Sequence, residues 1–287
     1  MKILIAQTVP FDKLTGCTMY VYELSKELSR LGHSVVIKAP SCNHFFNVKL
    51  RKNRVEFQKL RKICKNNKFD IIILNQSNRT LFLLDMYPNT PAMSIVHSFV
   101  YSEADAPCLD KRILSTIFIR EDVAEYYKTI MNISLDYSFI VYNGIDFSRF
   151  NKCGPDQTKP FILFVATLNS IREAVLLDIA EKAKEREMEV CVVGDVLIPT
   201  EHIPTNVKFY PPTWDIEVVT KECTETVGIF MGRSTIEGWA CGKPGWIYDI
   251  DKEGNIIDCK KVEPPENIEQ FDIKYMTQRL LSIIERK

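Results

Sequence analysis

The sequence predicts an α/β protein of two doubly wound domains facing each other across a cleft, and three observations carry that prediction. Apolar runs of strand length alternate with amphipathic runs of helix length along the whole chain, the pattern of repeated βα units. The series occurs twice, on either side of a stretch from Asp146 to Lys159 that has few apolar residues, contains Gly154 and Pro155 and is followed by Pro160. At 287 residues and 46% hydrophobic content the chain has material for two ordinary domains and their cores. The expected division is 1–150 and 151–287, with the final helix a candidate to pack back on the N-terminal domain. Such folds bind ligands at the carboxyl edges of their sheets, which places the expected site between the two halves.

Composition removes several classes of function. Formal net charge is zero, so the chain as a whole has no attraction for a polyanion. Nine cysteines (17, 42, 64, 108, 153, 191, 223, 241 and 259) are scattered without a CxxC pair or a histidine at ligand spacing. They predict free thiols in a reducing compartment, and neither a zinc site nor a disulfide framework. The opening MKILIAQ is too short for a signal-peptide core, and no window approaches the roughly 18 apolar residues of a membrane span. A cytoplasmic address follows. Neither βα half contains GxGxxG, which argues against a nicotinamide-dependent oxidoreductase.

The elements follow in order. Lys2 to Gln7 is a continuous apolar run, as in a strand buried on both faces of a parallel sheet. After a loop with Pro10 and Gly16, the residues Tyr20, Leu24, Leu28 and Leu31 recur at helical spacing up to Gly32, and Ser34 to Ala39 is the second strand. The Gly16 loop therefore lies at the carboxyl edge of the sheet. Further strands are predicted over Asp70 to Asn75, Ala92 to His97, Leu114 to Ile119 and Tyr137 to Tyr142, with helices over Leu81 to Met86 and Glu121 to Ile130 and a loop over 99–113. In the second half, strands are predicted over Phe161 to Ala166, Glu189 to Val193 and Val207 to Tyr210, and helices over Ala174 to Glu187 and Asp215 to Cys223. The segment Ile268 to Ile284 reads as a terminal amphipathic helix.

The most informative stretch is Thr226 to Asp249, TVGIFMGRSTIEGWACGKPGWIYD, which reads as strand, loop, helix and strand. Thr226 to Met231 is the first strand, Gly242-Lys243-Pro244 stops the helix, and Gly245 to Asp249 resumes as strand. Ser234 and Thr235 stand at an N-cap position, where unpaired backbone N–H groups and the positive end of the helix dipole suit a phosphate. Glu237, one turn in, can accept two hydrogen bonds from a ribose diol. The same residues also fit an ordinary N-cap with a dipole-complementing glutamate. His97 is similarly open to two readings, as a structural residue or as a functional imidazole at a strand's carboxyl end. Between Lys49 and Lys68 stand nine basic residues and one acid, Glu56, with Val55, Leu60 and Ile63 on one side of a predicted surface helix. This is either a solvated face or a patch for an anionic acceptor or membrane surface.

Taken together, several of these stretches resemble the retaining glycosyltransferases of family 4, whose glycosyltransferase-B fold consists of two Rossmann-like domains. MKILIAQ, Thr15-Gly16 and YVYELSKELSRLGHSVVIKAP are similar to the family's opening strand, loop, helix and "GHxV" strand. Val141 to Asp146, followed by Phe150, matches its "NGID" segment, and Glu237 to Pro244 closely resembles its "EAMACGKP". Phe164 to Glu173, FVATLNSIRE, resembles its "VGRLxxxKG" loop, with Arg172 in place of the lysine and Thr167 in place of the arginine.

The resemblance implies transfer of a hexosyl unit, with retention, from a nucleoside diphosphate sugar to a hydroxyl of a glycan or lipid-linked acceptor, with GDP-mannose the weak leaning. It implies that Glu237 holds the donor ribose, that Ser234, Thr235 and Arg172 meet the diphosphate, and that Gly16 is where donor phosphate approaches. Thr167 belongs to the same donor loop, His97 would meet the transferred sugar, and Asp195 follows the strand that lines the base. Arg172, His97 and Glu237 are thus the expected catalytic residues. No cofactor and no essential metal are expected. The family's first glutamate of a pair falls at Ile229, which lacks a carboxylate. Two other readings follow: a nucleic-acid-modifying glycosyltransferase that uses the basic run, and a non-catalytic chain that binds nucleotide sugars.

Overall fold

Burial of a continuous apolar strand on both faces sets the architecture of each half. The computed structural model describes residues 1–62, 68–98, 108, 110–130, 137–150 and 160–286. The chain divides into two compact units, one of Met1–Gly144 with Gln270–Lys287 and one of Ile145–Glu269.

In the first unit, β1 (Lys2–Gln7) has Ile3, Leu4, Ile5 and Ala6 fully buried. It is followed by α1 (Gly16–Arg30), β2 (Ser34–Ala39), α2 (His44–Lys52), β3 (Glu56–Lys59), β4 (Ile71–Asn75), α3 (Phe82–Met86), β5 (Ala92–Val96), β6 (Ile113–Phe118), α4 (Glu121–Glu125) and β7 (Ser138–Ile140). The sheet order is β3-β2-β1-β4-β5-β6-β7, every pair parallel. The chain therefore steps outward from β1 in one direction and returns to build from β4 in the other. That reversal makes the carboxyl ends of β1 and β4 the switch point of the sheet. Thr15 caps α1, its hydroxyl accepting from Thr18 N, and Gly32 leaves the helix with φ +88°.

In the second unit, α5 (Phe147–Phe150) precedes β8 (Phe161–Val165), α6 (Ser170–Lys184), β9 (Glu189–Val193), β10 (Val207–Tyr210), α7 (Ile216–Glu222), β11 (Glu225–Ile229), α8 (Arg233–Ala240), β12 (Gly245–Ile250) and β13 (Ile256–Val262). The order is β10-β9-β8-β11-β12-β13, parallel except for the antiparallel β12–β13 pair. The switch point here lies between β8 and β11. α9 (Ile273–Glu285) belongs to the first unit and packs on α1. The predicted Asn143-Gly144 break meets it, because a Cβ at Gly144 would stand 2.7 Å from Ile273 Cα and 2.8 Å from Met276 Cβ.

Several expectations are corrected. The surface helix predicted over Lys49 to Lys68 does not form as one element. α2 stops at Lys52, Arg54 turns the chain with φ 57°, and Glu56–Lys59 pairs with β2 as the sheet's edge strand. Val55 and Gln58 are buried there, so strand pairing wins over helical spacing, while Arg51, Lys52, Arg54, Lys59, Arg61 and Lys62 remain exposed. Ile63 and Lys65 lie outside the described residues, as do 99–107 of the predicted loop and 151–159 of the predicted linker. The helix expected over Glu121 to Ile130 widens after Glu125 into a π-type turn, and the terminal helix starts only at Ile273 after a 3₁₀ turn. α6 begins four residues earlier than Ala174, because the Asn169 side chain caps it by accepting from Arg172 N. β11 ends at Ile229 and not at Met231, since Phe230 turns with φ 55°. β13 was not expected, because its residues are mostly exposed and Asp258, Lys260 and Lys261 break its apolar pattern at an antiparallel edge. Among the described residues, no helix is long and apolar enough to cross a membrane.

α8 sits close against its sheet through small residues. A Cβ at Gly228 would fall 2.2 Å from Thr235 Oγ1, one at Gly245 2.9 Å from Thr235 Cγ2, and one at Gly238 2.5 Å from Thr226 Oγ1. The two threonines fill the space that the glycines leave. Gly228→Ala is expected to lower stability by about 1–3 kcal/mol through overpacking, and Thr235→Ala on the same background to recover part of it. Thermal unfolding of the two variants checks this; a silent Gly228→Ala would mean that the helix is not held by this contact.

At the opposite end of β11, the Glu225 carboxylate is 2% exposed and accepts from Arg186 Nη1 at 2.8 Å, Lys261 Nζ at 2.8 Å and Trp246 Nε1 at 2.6 Å. Burial alone would raise its pKa, but these donors outweigh it and hold the pKa at about 2, below the ordinary 4.5. The contribution to stability is therefore complete above the unfolded value and lost as pH falls from about 4.5 towards 2. Glu225→Gln is expected to cost about 2 kcal/mol at neutral pH, discounted for the partly exposed Arg186 and Lys261. The gap between variant and parent should narrow below pH about 4.5. An equal gap at pH 3 and pH 7, read by melting temperature, would contradict the assignment.

Candidate functional site

Each sheet brings polar side chains to its carboxyl edge, and the two sets differ in kind. In the second unit the loop after β8 and the loop after β11 flank the switch point. Following β8, Leu168 N donates to Asp195 O at 2.8 Å, tying this loop to the end of β9. Arg172 lies in the first turn of α6, and its Nη1 donates to the Thr167 carbonyl at 2.7 Å. Burial lowers its pKa, as expected of a guanidinium partly withdrawn from water. The structure thus brings Thr167, Arg172 and Asp195 to one edge.

Following β11, Gly232 is extended (φ −96°, ψ −176°) and is the N-cap of α8, without a side-chain cap bond. This corrects the N-cap expected at Ser234 and Thr235. Ser234 Oγ donates to Val227 O at 3.1 Å, and Thr235 is fully buried against Gly228 with a hydroxyl that lacks a partner. The Thr235 hydroxyl therefore faces the sheet and not a ligand. What the first turn can offer an anion is its backbone N–H groups, which have no intrahelical acceptors. Glu237 is 3% exposed, and Arg233 Nε donates to its Oε1 at 2.7 Å. Ile229 ends β11 partly buried against the apolar core of its unit.

In the first unit, Gly16 opens α1 and is exposed, with open space where a side chain would stand. His97 follows β5. Its backbone N donates to Gln76 Oε1 at 2.6 Å and its ring Nε2 donates to Asn75 Oδ1 at 2.8 Å, which assigns the Nε2–H tautomer. Asn75 Nδ2 in turn donates to Cys17 Sγ at 3.1 Å, and Gln76 Nε2 to Ser98 Oγ at 2.8 Å. Tyr20 packs edge-on against the imidazole with centroids 4.5 Å apart. Burial first, and the nearby Arg120 charge second, lower the His97 pKa to about 4, so the ring is neutral at physiological pH. Asn75, Gln76 and Cys17 were missed in the sequence. The available signal was an apolar strand ending in two amides beside a strand ending in histidine. Arg233 was also missed, although its i, i+4 spacing from Glu237 announces the pair.

The architecture matches solved structures over nearly the whole chain. A glycosyltransferase from Rickettsia africae is 14% identical with a TM-score of 0.68, covering 99% of this chain and 98% of that one. Alr3699/HepE from Anabaena, in complex with UDP-glucose, is 12% identical with a TM-score of 0.74 and full coverage of both chains. WaaG, a glycosyltransferase involved in lipopolysaccharide biosynthesis, is 10% identical with a TM-score of 0.60, covering 99% and 90%. The fold is glycosyltransferase-B. No protein-family model and no curated protein sequence matches the chain. Within the glycosyltransferase-B fold, the two units described here are its Rossmann-like domains.

The His97 environment has a direct test. Nitrogen NMR of the imidazole is expected to show the neutral Nε2–H form from pH 8 down to pH 5, with protonation only as pH approaches about 4. Because the folded value lies below the ordinary 6.5, stability associated with this ring falls as pH drops from about 6.5 towards 4. A ring that titrates near 6.5 would show that the Asn75 bond and the burial are not present in solution.

Proposed function

We propose that this protein transfers a hexosyl unit from a nucleoside diphosphate sugar to a hydroxyl of a glycan or glycoconjugate acceptor, as a retaining enzyme of the family 4 type. The observation that carries the reading is the charged constellation at the second unit's switch point: Arg172 after β8, and the nearly buried Glu237 with its Arg233 partner after β11. A carboxylate fixed in this way is a ribose-diol acceptor, and the Arg172 guanidinium at the same sheet edge neutralises a diphosphate. The likeness of fold to glycosyltransferases supports the reading.

The chemistry asked of these residues is modest. The donor C1–O bond breaks as negative charge grows on the departing diphosphate, which Arg172 and the first-turn N–H groups of α8 stabilise. An acceptor hydroxyl attacks C1 of the oxocarbenium-like sugar from the leaving-group face, and its proton passes to the departing phosphate. We assign His97 to the transferred sugar, Gly16 to the approach of donor phosphate, and Asp195 to the base region. No metal is assigned a role, so activity should survive EDTA. The resemblance to family 4 points to GDP-mannose. The UDP-glucose bound to Alr3699/HepE makes UDP-glucose the first donor to test beside it.

Ile229 favours a second reading, a non-catalytic chain that binds nucleotide sugar, because it offers no carboxylate to the donor sugar. One experiment separates the two. The protein is screened for thermal stabilisation and donor turnover against UDP-, GDP-, ADP- and dTDP-sugars with and without EDTA. A donor at a hundred times its dissociation constant should add about 2.7 kcal/mol of stability. Stabilisation with turnover supports the transferase, stabilisation alone supports the binding chain, and no stabilisation removes both. For the transferase, Arg172→Ala is expected to cut transfer at least tenfold without loss of fold, which is about 1.4 kcal/mol of transition-state stabilisation. An unchanged rate would remove Arg172 from the site.

We assign the exposed basic residues of α2, β3 and the turns that follow them to an anionic acceptor or membrane surface, with Phe45 and Val48, 41% and 47% exposed, beside them. Co-sedimentation with phosphatidylserine vesicles, absent with phosphatidylcholine vesicles and lost in Arg51→Glu/Lys52→Glu, is the expected result. Equal sedimentation of both proteins would contradict it.

A further inference from the structure

The same switch point carries a residue to which the donor reading above gives no contact with the substrate. We propose that Arg233 is a diphosphate-binding residue, which fixes the Glu237 carboxylate through Nε and presents its guanidinium, from the opposite side to Arg172, to the phosphate groups of a nucleoside diphosphate. The inference rests on the donor-binding reading and specifies how that site handles charge.

Topology places the two arginines. β8 and β11 are neighbours, with β9 and β10 on one side and β12 and β13 on the other, so the loops leaving β8 and β11 part in opposite directions. The crevice between such loops is where open α/β sheets take a ligand. Arg172 stands in the first turn of the helix after β8, and Arg233 is the first residue of the helix after β11. One arginine-bearing helix start therefore flanks the crevice from each side.

Charge supplies the reason for a second cation. Glu237 is buried at the same edge, and an unpaired carboxylate there would repel the phosphates whose ribose it is placed to hold. Arg233 cancels that charge at 2.7 Å, and its side chain is 14% exposed, so its field is less screened than that of a solvated arginine. The planar fork of arginine also matches two phosphate oxygens at once, which a lysine cannot do. A residue that served only to hold Glu237 would affect ribose binding and be indifferent to the number of phosphates.

That difference is the test. UDP and UMP share base and ribose and differ by one phosphate, so the ratio of their affinities isolates the diphosphate contact. Calorimetric titration of the full chain is made for the parent, for Glu237→Gln, and for Arg233→Ala/Glu237→Gln, in which no buried carboxylate is left without a partner. Glu237→Gln, which leaves the Arg233 charge without its counter-charge, is expected to keep or raise the parent's preference for UDP over UMP. The double variant is expected to lose about tenfold of it. If the double variant keeps the ratio of Glu237→Gln, Arg233 does not touch the diphosphate and the inference is overturned while the donor reading stands. If the double variant does not fold, Arg233→Lys keeps the charge and loses the fork, and is expected to lower the ratio severalfold; an unchanged ratio overturns the inference. The same comparison is made with the diphosphate and monophosphate of whichever base the protein binds, and a parent that binds that diphosphate no better than its monophosphate also overturns it. A parent that binds neither UDP, GDP, ADP nor dTDP removes the donor reading itself.

Discussion

Close packing of α8 on the second sheet is the contact on which the charged edge depends. Gly228, Gly238 and Gly245 leave room that Thr226 and Thr235 fill, so the helix axis approaches the strands more closely than larger side chains would allow. The approach costs two buried hydroxyls without partners, Thr226 Oγ1 and Thr235 Oγ1. In return it fixes where the helix begins. With Gly232 extended and Phe230 turning at φ 55°, the first helical residue is Arg233, and Glu237 follows one turn later within reach of it. A helix lifted by a bulkier residue would carry the pair away from its place at the sheet edge.

The two carboxyl edges have complementary chemistry. The first unit offers a neutral set: an imidazole kept uncharged by burial and by Arg120, two amides, a thiol and a hydroxyl, linked by hydrogen bonds through Asn75 and Gln76. Groups of this kind suit sugar hydroxyls, which both donate and accept. The second unit offers formal charges held by ion pairing and partial burial. Charges held in this way suit an anionic ligand, which is the role proposed for them. Glu225, at the amino end of β11, is also ion-paired and buried, yet it lies at the end of the strand remote from the switch point, where it ties the turn after α6 to β12 and β13.

Much of the fold was legible, and the reasons are local. Lys2–Gln7, Ser34–Ala39 and Glu189–Val193 end where the sequence places them, because strands inside a parallel sheet are largely apolar runs bounded by turn residues, and the edge strand Val207–Tyr210 does so because Asn206 and Pro211-Pro212 bound it. β3 and β13 were not legible, because edge strands carry exposed charges and owe their conformation to a neighbour distant in sequence. At the candidate site, Glu237 stood out by its place one turn into the helix and by resemblance, and Arg172 by resemblance alone. Thr235 was misread because Ser, Thr and Gly all serve as N-caps, and the backbone of Gly232 decides which one does. The partners of His97 come from another strand and from α1, and no periodicity within one segment reveals them.

Hydrogen–deuterium exchange of the protein with and without a saturating nucleoside diphosphate tests the central claim most directly, because it reads where the ligand acts without requiring turnover. The account expects slowed exchange in the second unit centred on the loops that follow β8 and β11 together with the first turns of α6 and α8, residues 166–172 and 230–237, with the amino end of β11 around Glu225 unchanged. Protection confined to other segments, with those two loops exchanging as before, would contradict it.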